Sequence, residues 1–138
     1  MASLAPLAAA DAVYHTEHLS LTPVGGAPLR SGFVQNIKAE GPQVYAHERF
    51  VLNGAMPGTT YTVKRNFFFA PGCGGVADDI SSVGTISTNA AGNGTADVVV
   101  LPEQIPGFLV GDHGVRWTVT DASRSLRYQT DCTTVTLD

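Results

Sequence analysis

Histidine, glutamate and arginine stand side by side once, at His47-Glu48-Arg49, immediately before the apolar run Phe50-Val51-Leu52. A carboxylate acts as a general base when a neighbour orients it. Glu48, oriented by His47 or Arg49, is therefore the candidate base of an alternative enzyme reading, with a shallow polar site set on a strand. The competing reading is an exposed strand face carrying a weak ion pair. His15 and His18 flank Glu17, but on a strand they project to opposite faces and cannot share a metal. Asp78-Asp79 has no EF-hand or repeat spacing around it and reads as a turn cap. Ser81-Ser82 has no neighbouring base and no G-x-S-x-G elbow. Gly72 to Gly75 encloses a cysteine, and no Lys-Ser/Thr pair follows it, so it is no phosphate loop. These residues give no expected catalytic group, metal ligand or cofactor.

The elements that must position such groups are strands. Apolar residues alternate through Tyr61, Val63, Phe67 and Phe69, through Val115, Trp117 and Val119, and again near the end at Val135 and Leu137. Alternation of this kind puts one face on a core and the other in water. Clusters such as Pro23-Val24-Gly25-Gly26, Asn53-Gly54, Met56-Pro57-Gly58, Ala91-Gly92-Asn93-Gly94 and Gly111-Asp112-His113-Gly114 supply turns at short intervals. The pattern predicts strands at roughly 12–22, 32–38, 44–53, 59–69, 83–88, 95–101, 114–121, 125–130 and 132–138, with 70–82 as the longest loop. Many short strands between turns fit an antiparallel β-sandwich, with a closed β-barrel as the alternative.

The chain has 138 residues, of which 43% are hydrophobic and 14% charged. The length suits one core, and the apolar content argues against disorder. A net charge of −4 with lysine only at Lys38 and Lys64 excludes the basic stripe of a nucleic-acid binder and a polybasic membrane anchor. No segment is apolar for long enough to span a bilayer as a helix. Residues 1–10, ending in Ala8-Ala9-Ala10, read as a signal-peptide remnant or an Ala-rich arm, with one β domain at 11–138. The two cysteines, Cys73 and Cys132, form an even count in an export-like chain, which favours one disulfide over two free thiols.

The segment Leu52-Asn53-Gly54-Ala55-Met56-Pro57-Gly58-Thr59-Thr60-Tyr61-Thr62-Val63 resembles the proline-glycine corner of fibronectin type III and related immunoglobulin-like domains. The resemblance implies an immunoglobulin-like sandwich of 7–9 strands, with Tyr61 hydrogen-bonding back across the corner. Thr88 to Gly94 and Gly114-Val115-Arg116-Trp117, in that order around the cysteines, resemble secreted actinobacterial sandwiches, including the apoprotein carriers of enediyne chromophores. Those carriers have two disulfides, whereas this chain can form one.

The resulting expectation is a secreted, non-enzymatic bacterial domain that binds a protein partner or a small apolar ligand. The alternatives are a structural subunit of a shell, coat or filament, hence a homo-oligomer, and an enzyme built on His47, Glu48 and Arg49. Phe68 projects opposite Phe67 and Phe69, beside the glycine-rich Cys73 loop, and Phe108 and Leu109 sit in a second loop. Together Phe68, Phe108 and Leu109 form the expected binding surface; the competing reading buries all three at the end of the core.

Overall fold

A computed structural model of the chain describes residues 15–38, 46–101, 104 and 106–137. The expected signal remnant or arm at 1–10 lies outside the described residues. The strands are β1 (His15–Ser20), β2 (Thr22–Pro23), β3 (Ser31–Lys38), β4 (Ala46–Asn53), β5 (Thr60–Phe68), β6 (Asp79–Ser87), β7 (Gly94–Val100), β8 (Gly111–Thr120), β9 (Leu126–Gln129) and β10 (Thr133–Leu137). A 3₁₀ turn covers Gly107–Leu109. All strand pairs are antiparallel and fall into two sheets. One has the order β1-β3-β4-β7; the other has the order β2-β9-β8-β5-β6, with β10 also paired to β8. Among the described residues, the sheets do not close into a barrel.

Alternation decides what each sheet gives to the core. Val34, Phe50 and Leu52 of the first sheet share one buried cluster with Tyr61, Val63, Ile86, Val115, Trp117, Val119, Tyr128 and Val135 of the second. Trp117 is 1% exposed, between Val115 and Val119 on the inward face of β8. The Pro57-Gly58 turn leads into β5, and the Met56 amide donates to Tyr61 Oη at 3.2 Å, closing the corner across five residues.

Three boundaries differ from expectation, and the first is the start of β8: Gly111-Asp112-His113-Gly114, which has the composition of a turn, is strand, because it pairs with β10. The long first strand is split at Leu21, which is buried, and β2 crosses to the second sheet to pair with β9. Strand β6 starts at Asp79 rather than at 83, with a bulge that shifts its register opposite Val63 and Lys64. The bulge hides the alternation that identifies a strand in sequence.

β9 and β10 run in succession along the same edge of β8, pairing with its second and first halves. Between them, Thr130 Oγ1 accepts from the Trp117 amide, and Cys132 faces Cys73 at disulfide distance, with sulfurs 2.09 Å apart. The loop carrying Cys73 therefore crosses the outer face of β8. Gly114 must be glycine there: a Cβ would meet Gly72 O at 1.9 Å.

The turn from β8 to β9 is organised by Asp121. Its Oδ1 accepts from the amides of Ser123 and Ser125 and from Ser123 Oγ, while Arg127 Nε donates to Oδ2 at 2.7 Å. The Ser123 hydroxyl first, and Arg127 next, hold the Asp121 carboxyl far below the ordinary carboxylate range. A depressed folded-state pKa gives a contribution present above the unfolded value and lost only as pH falls toward the folded one. The Ser123 and Ser125 amide resonances are thus expected to stay fixed as pH falls through 3.8, the unperturbed value. A titration midpoint near that value would contradict the arrangement.

Candidate ligand cavity

At the end of the molecule that carries the cysteine loop, the sheets part around a cavity of about 350 Å³. Its walls come from inward positions of the strands: Ala46 and Glu48 on β4, Arg65 and Phe67 on β5, Val115 and Trp117 on β8, Val135 and Leu137 on β10. Asn36 on β3 adds to the wall, and Phe69, Asp79, Ser81, Val100, Gln104, Phe108 and Leu109 supply the rest of the lining. The volume lies within the range of small-molecule sites, and the lining is largely apolar, as such sites require.

The charged feature of the wall is an ion pair between the sheets. Arg65 Nε donates to Glu48 Oε2 at 3.1 Å and Nη2 donates to Oε1, a two-point contact. The Glu48 side chain is 5% exposed and that of Arg65 24%. A carboxylate this deep needs a partner, and the planar guanidinium fits it in one fixed orientation. The contact uses two of the guanidinium nitrogens and leaves Arg65 Nη1 without a partner among the described residues. Among the described residues, two buried polar atoms on lining side chains lack partners: Trp117 Nε1 and Asn36 Oδ1. Asn36 Nδ2 donates to Glu17 at 3.2 Å, which fixes the amide with its oxygen as the unpaired atom.

His113 fastens the mouth. Its Nδ1 lies 2.8 Å from Phe69 O and its Nε2 lies 2.6 Å from Leu109 O, while its ring packs on Phe67 with centroids 4.7 Å apart. One buried imidazole thus joins the end of β5 to the 3₁₀ turn, and both joined residues line the cavity.

The expected polar knot is divided between faces. Glu48 points inward to Arg65, whereas His47 and Arg49 point outward and meet Asp97 of β7 at 3.0 and 3.5 Å. The period of two forbids the three neighbours from acting on one substrate, so neither His47 nor Arg49 orients Glu48. Phe108, 80% exposed, and Leu109 both line the cavity. Phe68 does not: it is buried on the opposite face of β5, in register with Gly114 and on the side that the cysteine loop covers. Phe67 and Phe69 occupy the cavity side instead.

Asp78 Oδ2 accepts from the Phe69 amide and Asp79 Oδ2 from Ser81 Oγ, so this pair caps the loop and the start of β6. His18 stacks on Phe33. The described residues contain no cluster of three or more His, Cys, Asp or Glu side chains arranged to hold a metal. Arg65, absent from the expected site residues, carries one signal in the sequence. It is the charged interruption at an inward position of the alternation Tyr61, Val63, Phe67, just as Glu48 interrupts Ala46, Phe50 and Leu52.

A second hollow of about 390 Å³ lies among Tyr61, Asp121, Arg127 and Tyr128. Its polar groups already engage one another or the backbone. Tyr128 Oη donates to Pro28 O, and burial first, then its hydrogen bond with Tyr61, pushes the phenol's pKa upward.

The chain matches no protein-family model, no curated protein and no solved structure. The functional reading therefore rests on the cavity itself.

Proposed function

We propose that the protein is a secreted immunoglobulin-like β-sandwich that holds a small apolar ligand between its two sheets. The observation that carries this reading is an apolar cavity whose wall contains an oriented ion pair and buried polar atoms with no partner. An unpaired buried polar atom costs about 1–3 kcal/mol, which a bound molecule with matching groups recovers. The tyrosine corner and the two antiparallel sheets support the immunoglobulin-like assignment. The cysteine pair supports an oxidising compartment. Among the described residues, no helix is long and apolar enough to cross a membrane. The engagement of Glu48 by Arg65, facing away from His47 and Arg49, supports binding over an enzyme built on those three residues.

Trp117 is the only tryptophan and lines the cavity, so it reports occupancy. Titration with the neutral naphthalene dye Prodan should quench Trp117 emission saturably at one equivalent and shift the dye's emission to the blue. Unchanged tryptophan emission across the titration would overturn the reading.

A further inference from the structure

Resting on the cavity reading, we infer that the ligand is a neutral apolar molecule bearing a carbonyl-type acceptor, and that Arg65 Nη1 reads that acceptor. The contact with Glu48 holds the guanidinium by Nε and Nη2. It thereby leaves Nη1 as the guanidinium nitrogen free to donate, on a cavity-lining side chain 24% exposed. A free surface arginine loses rotamer freedom when it binds an acceptor, whereas this one is already immobilised.

The same contact sets the charge of the ligand. Glu48 neutralises Arg65, and Asp79 adds a further carboxylate to the lining. An anionic ligand would compete with Glu48 for the guanidinium and leave a carboxylate with 5% exposure uncompensated. A neutral carbonyl oxygen takes the Nη1 donor and leaves the ion pair intact. The lining aromatics Phe67, Phe69, Phe108 and Trp117 suit a flat ring system as the apolar body.

The test uses 2-acetylnaphthalene, 2-ethylnaphthalene and 2-naphthoate as competitors of bound Prodan, on the wild-type protein and on the double variant Glu48→Leu/Arg65→Met. The ketone and the hydrocarbon differ in hydrophobicity, so the informative quantity is the ratio of their Kd values. That preference for the ketone is expected to fall about tenfold in the double variant, the worth of one hydrogen bond to a charged donor. On the wild type, 2-naphthoate should bind more weakly than the ketone. An unchanged ratio would remove Arg65 as the acceptor reader while leaving the cavity reading in place. Tighter binding of 2-naphthoate would overturn the neutral class. If neither naphthalene displaces Prodan from the wild type, the cavity reading and this proposal both fall. Should the double variant not fold, the arginine side-chain ¹⁵N resonances of the wild type decide. Arg65 Nη1 should shift with 2-acetylnaphthalene and not with 2-ethylnaphthalene; equal shifts would contradict the assignment.

Discussion

Trp117→Ala should lower the stability of the protein by about 3–5 kcal/mol, the cost of removing a large buried aromatic side chain. The indole is 1% exposed and sits between Val115 and Val119 on β8, where it belongs both to the core and to the cavity wall. Its truncation merges the lost side-chain volume with a cavity of about 350 Å³, so the surrounding strands have little to collapse onto. Part of the loss is offset because Nε1 has no hydrogen-bond partner, and deleting it removes an unsatisfied buried donor. Urea denaturation measures the effect, and the corresponding fall in Tm is roughly 10–20 °C. A loss below about 1 kcal/mol would show that the indole is not part of a packed core.

Replacing both cysteines by serine is expected to cost about 4 kcal/mol on the loop-entropy account, because Cys73 and Cys132 are separated by 59 positions. The effect has a definite location. The bond ties the loop across the outer face of β8 to the junction of β9 and β10, and the loop backbone sits directly over Gly114. Loss of the bond should raise amide exchange first at Gly114, whose N–H donates to Ala70 O, and expose Phe68 beside it. The wild-type protein, unfolded without reductant, should show no titratable thiol; two thiols would contradict the pairing. The cavity lies on the inner face, so its residues should respond less than those of the outer face.

The all-β class and most strand boundaries were legible because the alternation is regular wherever a strand has one wet face. The pattern Val115, Trp117, Val119 marks the centre of β8 and its buried indole, whereas the start of β8 at Gly111 is hidden by turn-like residues. The start of β6 was not legible, since its bulge breaks the period and Asp79, Ser81 and Ser82 look like loop residues. The cavity was half legible. Phe108 and Leu109 do line it, but Phe68, expected beside them, is buried on the other face of β5. Which side of β5 faced the cavity depended on the packing of two sheets, which no local pattern encodes. The ion pair was obscured for a related reason. Glu48 lies beside His47 and Arg49 in sequence, so nearness along the chain suggested a partnership that alternation forbids. Its true partner, Arg65, stands on the other sheet.

The central claim, that a small apolar molecule sits between the sheets, is tested most directly by methyl-resolved NMR of the protein titrated with Prodan. Val100, Leu109, Val115, Val135 and Leu137 line the cavity, whereas Val34, Val63 and Val119 lie in the closed core away from its lining. The account predicts saturable shifts and dye-to-methyl Overhauser contacts for the first set, with little change in the second. Shifts confined to outward-facing residues such as Val99 and Leu126, with the lining methyls unmoved, would contradict it.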